Sequence, residues 1–134
     1  MKHSALTVRI YYEDTDEQGI VYHANYLKFF ERARVEAFRS GEIELRKLLL
    51  DHDTQFVVQS LDIKYLQPAY LDQLLYIVTA VESVGFASVR YHQKAYLGAK
   101  EGSLLCEAKV RLACIDSQYQ VKKLPKILSG ALKI

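Results

Sequence analysis

Residues 11–41 crowd chemistry-bearing side chains into one short span: Glu13, Asp14, Asp16 and Glu17, then Gly19, then His23 and Asn25. Carboxylates serve as general bases or nucleophiles, and a histidine near neutrality can move a proton. By spacing alone, Asp16 reads equally well as a turn former, and a lone His23 is more often a helix-start residue satisfied by hydrogen bonds than a catalyst. What gives them further meaning is the helix they precede. Tyr26, Phe29, Phe30, Ala33 and Ala37 recur at the three- and four-residue spacing of one helical face, with Lys28, Glu31, Arg32, Arg34, Glu36 and Arg39 largely elsewhere. Asn25 is the expected N-cap. Gly41 is expected to close the helix in the left-handed conformation, with Arg39 near the negative end of the dipole. The unpaired amides of the first turn then point at the acidic segment, where they favour ionised carboxylates and can also hold an oxyanion. A base and an oxyanion site can thus lie side by side. Gly19 permits a sharp turn and a close backbone approach to a ligand.

The elements that position this span follow from the rest of the chain. Period-two alternation predicts a first strand over residues 6–13, which delivers the acidic turn directly. A short apolar segment at residues 44–50 predicts a second helix. Strand-like runs follow at 56–66, 71–84, 86–97 and 104–116, separated by Pro68, Gly85 and the turn at 98–102. In the last run Leu104, Cys106, Ala108, Val110, Leu112 and Cys114 share one face, with Glu107, Lys109 and Arg111 on the other. Short connections between the later strands require antiparallel pairing, because a parallel crossover needs a dozen or more residues. A sheet with one apolar face needs a cover, and the amphipathic helix supplies it. The class is α+β, with five strands and one long central helix. The tail, residues 122–134, reads as a short terminal helix or a strap at a subunit contact.

Composition narrows the function. The chain has 134 residues, half of them hydrophobic, which suits one domain with its own core over residues 1–134. A net charge of +2, without basic runs interleaved with aromatics, argues against nucleic acid. No run of about 18 apolar residues is present to span a membrane, and the start lacks a signal-peptide core, so a cytoplasmic protein is expected. Cys106 and Cys114 share one strand and lie roughly 27 Å apart at ~3.4 Å per residue, beyond disulfide reach. They read as small buried hydrophobes. Asp14, Asp16, Gln18 and Gly19 imitate the opening of a calcium loop, but Asn25 stands where the closing glutamate belongs and a strand precedes the loop, so no metal is expected.

The ordered run Asp16, Gly19, Val21, Tyr22, His23, Asn25, Tyr26 resembles the signature of the hotdog-fold acyl-CoA thioesterases, in particular the 4-hydroxybenzoyl-CoA thioesterase family and its YbgC-like branch. Residues 56–75 and the strand around Cys106-Glu107-Ala108-Lys109-Val110 extend the similarity over nearly the whole chain. The resemblance implies a hotdog fold, in which the five-stranded antiparallel sheet wraps the long helix. It also implies hydrolysis of an acyl thioester to free acid and thiol. Asp16 would attack the carbonyl or activate water, and His23 would handle the proton of the leaving thiolate. Peptide N–H groups around Tyr22, His23 and Ala24 would polarise the thioester oxygen, each such donor contributing about 2.7–4 kcal/mol. Tyr12, Gly19, Val21, Tyr22 and Asn25 are the expected substrate-binding residues. No cofactor is implied, coenzyme A being part of the substrate. The implied assembly is a homodimer with sites between protomers, commonly a homotetramer built as a dimer of dimers.

Asp14 is expected to organise the turn, and Tyr12 to be core or pocket wall. Glu31 reads as a solvated ion pair with Arg34, although other branches of the fold use a helix carboxylate. Phe56, Tyr65, Tyr70 and Phe86 are candidate walls for the acyl group. Relatives carry basic residues in the hairpin matching residues 83–88. Here there is none nearer than Arg90, so phosphate recognition falls to Arg90, Lys64 or Lys100, or the carrier is an acyl carrier protein. Two rival functions stand beside hydrolysis: a hotdog dehydratase or hydratase acting on acyl thioesters, and a non-catalytic module that binds acyl carrier protein.

Overall fold

Alternating apolar and polar residues build five strands: β1 (His3–Arg9), β2 (Gln55–Tyr65), β3 (Leu74–Val84), β4 (Ser88–Leu97) and β5 (Leu104–Ile115). Two helices lie between β1 and β2, namely α1 (Asn25–Ser40) and α2 (Leu45–His52). The structure is a computed structural model and describes residues 3–132. Every strand pairing is antiparallel, and the sheet order is β1-β3-β4-β5-β2, which leaves β1 and β2 at the edges.

The sheet holds α1 against its apolar face. Tyr26, Phe29, Phe30, Ala33 and Phe38 are buried along one side of the helix, and they meet Leu75, Ile77, Val89, Tyr91 and Leu105 from the strands. Phe38 stacks on Phe56 of β2 at 5.2 Å and meets Tyr91 of β4 edge-on at 6.2 Å. A buried polar contact fixes the helix in register with the sheet. Gln93 of β4 donates from Nε2 to the carbonyl of Phe30 and to Thr79 Oγ1, each at 2.9 Å, and its Oε1 accepts from Arg34 at 3.0 Å. Arg34 is therefore buried, not paired at the surface with Glu31 as the sequence suggests. Burial lowers its pKa from the ordinary value, with the charge of Glu31 opposing that.

The predicted first strand stops early. The chain leaves the sheet after Arg9, and residues Tyr12–Asp14 form a 3-10 turn. The cause is local: Asp14 takes the Tyr11 N–H on its carboxylate at 2.8 Å, and such side-chain bonds compete with ladder pairing. Tyr12 is 81% exposed in the chain and is not core. Helix α1 also ends otherwise than expected. Gly41 has φ −95, and the left-handed residue is Glu42, at φ 63. The tail forms a single 3-10 turn at Lys126–Leu128, and Leu128, Ala131 and Leu132 pack into the core. The last two residues of that predicted segment lie outside the described residues.

Candidate functional site

The turn before α1 is shaped by backbone bonds. Asp16 O accepts the Gly19 N–H at 2.9 Å, Asp16 Oδ1 accepts the Gln18 N–H at 2.9 Å, and Asp16 N donates to Ile20 O at 3.0 Å. Gly19 sits at φ +78, the region where a Cβ is costly, and this lets five residues reverse the chain. Val21 then donates to Ala69 O at 2.9 Å, and Ile20 bridges Tyr70, which ties the turn to the segment leaving β2. Asp16 is half-buried, and of its two carboxylate oxygens Oδ1 alone takes a hydrogen bond from the described residues.

Asp14 is anchored differently. It is 8% exposed, with Oδ2 accepting the Tyr11 N–H and Oδ1 accepting from Asn25 Nδ2, both at 2.8 Å. Asn25 is thus not the N-cap, because its side chain reaches back to Asp14 instead of over its own helix. Ala24 holds the cap position and has no capping side chain. Of the three amides expected to polarise a carbonyl, that of Tyr22 is occupied, donating to Asp14 O at 2.8 Å. Among the described residues, no backbone carbonyl accepts from His23 N–H or Ala24 N–H. These two donors lie at the positive end of α1.

Asp16 and His23 line one cleft of about 400 Å³ together with Val21, Tyr26, Tyr65 and Leu66. The His23 ring lies 4.6 Å from that of Tyr22 and meets Tyr65 edge-on at 6.1 Å, while the Tyr65 hydroxyl donates to the His23 carbonyl at 2.9 Å. Burial pushes the hydroxyl pKa of Tyr26 well up, and that of Tyr65 up as well, so both stay protonated donors. Tyr12, Gly19, Tyr22 and Asn25 do not line this cleft within the chain. Of the proposed acyl walls, Tyr65 does, while Phe56 packs on Phe38 and Phe86 projects at the far end of the sheet. Sequence reasoning missed Tyr26 as a lining residue, reading it only as core. The tie from Tyr65 to His23 spans 42 positions and had no sequence signal.

Neither cysteine belongs here. Cys106 and Cys114 are fully buried and free, and burial pushes the Cys106 thiol up to about 12, leaving no thiolate to attack.

The sequence profile of the thioesterase superfamily matches residues 18–103, which take in the second half of the turn, α1, α2 and strands β2 to β4. The chain belongs to the thioesterase superfamily. Among curated relatives it is 43% identical to an acyl-CoA thioesterase YbgC of Haemophilus influenzae, over 81% of this chain and 78% of that protein. It is 38% identical to an acyl-CoA thioester hydrolase YbgC of Escherichia coli O6:H1, over 94% of this chain and 92% of that protein. A crystal structure of a 4-hydroxybenzoyl-CoA thioesterase mutant complexed with 4-hydroxybenzoyl-CoA superimposes with a TM-score of 0.91, covering 99% of this chain and 100% of that one at 16% identity. That likeness establishes the hotdog fold for this thioesterase-superfamily chain. Five antiparallel strands and one long helix are the elements expected from the residues, and the sheet wrapped around that helix is the arrangement the resemblance implies.

Proposed function

We propose that the chain is an acyl-CoA thioesterase of the YbgC type and that the cleft at the start of α1 is its active site. The reading is supported by one juxtaposition: Asp16, with an unbonded carboxylate oxygen, shares a cleft with His23 beside two unengaged amides at a helix N-terminus. A thioester oxygen seated on the His23 and Ala24 N–H groups gains negative charge where the helix dipole favours it. Asp16 Oδ2 then either attacks the carbonyl carbon or takes a proton from a water that does so. If Asp16 attacks, collapse of the tetrahedral oxyanion breaks the C–S bond and leaves the acyl group on Asp16 as a mixed anhydride, which a water then hydrolyses to the free acid and Asp16. If water attacks, the same collapse gives the acid directly, and in both routes the thiolate is protonated, a transfer we assign to His23. Tyr65 positions His23 through its carbonyl. Val21 walls the cleft, while Tyr22 holds the His23 ring, Asn25 and Gly19 hold the turn, and Tyr12 stands exposed for a substrate or a second protomer.

The chemistry needs no metal or organic cofactor, and we assign it to one domain spanning residues 1–134 in the cytoplasm. No helix among the described residues is long and apolar enough to cross a membrane. The acyl donor is coenzyme A or acyl carrier protein. Strand β2 is an unpaired edge of 11 residues that exposes Val57, Val58, Leu61 and Tyr65. Such an edge invites pairing with another strand, which supports a homodimer joined along β2, the unit from which the expected tetramer would be built.

Thiol release from short, long and aromatic acyl-CoAs, followed with a thiol reagent, tests the function. Turnover of at least one class is expected. Absence of thiol release from all of them, or hydration of an enoyl-CoA in its place, would contradict it.

A further inference from the structure

A second hollow, of about 280 Å³, lies between α1 and β2 beyond the cleft. Leu27, Phe30, Val58, Leu61 and Val110 give it apolar walls, and Arg34 is the buried charge among them. The hollow continues the seam that the cleft begins. Tyr26 lines the cleft and Phe30, one helical turn on, lines the hollow, with their rings 6.2 Å apart. On the facing strand, Tyr65 of the cleft and Leu61 of the hollow share one side of β2.

Arg34 is 8% exposed, and its charge is uncompensated there. Its Nη1 donates to the amide oxygen of Gln93, a neutral partner, and among the described residues no carboxylate comes within ion-pair reach of the guanidinium. Buried charges are ordinarily paired, because removing an ion from water costs more than one neutral hydrogen bond returns. The other guanidinium nitrogens make no hydrogen bond among the described residues, yet none of them is sealed from solvent. They are reachable, and the hollow that Arg34 lines is the route. Lys28 and Glu31 also line it, are exposed and offset one another in charge, which leaves the hollow positive through Arg34.

We infer that the hollow between α1 and β2 is a carboxylate-binding site, with the free donors of Arg34 on the carboxylate and the apolar walls packed against the carbon chain that bears it. A guanidinium fork matches the two oxygens of a carboxylate, and such a charge-assisted pair strengthens where water is excluded. The carboxylate comes either from the far end of a dicarboxylic half-thioester or from a free carboxylic acid. Along α1 the His23 and Ala24 amides and Arg34 stand roughly 15 Å apart at ~1.5 Å per residue, a span matched by an extended chain of about a dozen carbons. The first source rests on the thioesterase reading and the second does not.

Calorimetric titration of octanoate and of octan-1-ol into wild type, Arg34→Met and Leu27→Trp tests this. The ligands share a chain length and differ in the carboxylate. Arg34→Met keeps an apolar stem against the sheet, whereas Leu27→Trp fills the hollow from an exposed helix position and keeps the arginine. Wild type is expected to bind octanoate at least tenfold more tightly than octanol. Arg34→Met is expected to lose that advantage, and Leu27→Trp to bind octanoate at least tenfold more weakly, with folded circular dichroism spectra. If Arg34→Met does not fold, Leu27→Trp decides. A tenfold higher kcat/KM for the dodecanedioic half-thioester of coenzyme A than for dodecanoyl-CoA, lost in Arg34→Met, identifies the acyl chain as the source. Equal kcat/KM for the two, with octanoate bound, identifies a free acid. No octanoate binding to wild type, equal binding of octanoate and octanol, or an advantage undiminished in Arg34→Met overturns the site. Titration reads this without turnover, so octanoate binding with no thiol release from any acyl-CoA would sink the thioesterase reading and leave the site standing.

Discussion

Asp14 is buried and gives both carboxylate oxygens to hydrogen bonds, whereas Asp16 is half-buried and gives one. The first pins Tyr11 and Asn25 together across 14 positions, so the acidic turn and the start of α1 move as one piece. Replacing it strands two donors in a partly buried place. Asp14→Ala is expected to lower stability by about 1–3 kcal/mol in urea unfolding. A loss below about 0.5 kcal/mol would show that water replaces the carboxylate and that Asp14 does not organise the turn. The sequence already pointed to Asp14 as the organiser and grouped Asp16 with His23. It read Asn25 as the N-cap, a position that Ala24 holds, because the N-cap preference of asparagine says nothing of a carboxylate waiting 11 residues earlier.

At the scale of elements, the long helix and all five strands were legible from apolar spacing, and the ends were less so. Strand β1 gives way to the 3-10 turn because Asp14 competes for the backbone, a contest that alternation does not register. Arg34 and Glu31 stand three apart on a helix and read as a surface pair. The position of Gln93, 59 residues on, decides instead that Arg34 is buried. Edge strand β2 is where element and assembly meet. Leu61 faces the helix side opposite buried Val110 and is still 40% exposed, beside a second hollow lined by Leu27, Phe30, Val58 and Arg34. Leu61→Lys sets a charge in that seam and is expected to convert a dimer to monomers in sedimentation velocity, with loss of activity. A monomeric wild type, or a variant that stays dimeric, would contradict pairing through β2.

Over the whole molecule, what the sequence conveyed best was local: a turn, a helix and its first amides, all within residues 11–41. What it did not convey depends on distant segments meeting. Tyr65 closes the cleft only because β2 ends beside the first turn of α1.

Hydrolysis in the cleft depends on Asp16, and the substitution that removes its charge while keeping its size is Asp16→Asn. The deciding measurement is kcat for thiol release by this variant and by wild type at saturating acyl-CoA, with folding verified by circular dichroism. A fall of at least about a hundredfold in kcat with KM little changed is expected, as when a general base or nucleophile is lost. A variant that retains wild-type kcat would contradict the assignment of Asp16 and, with it, of the cleft.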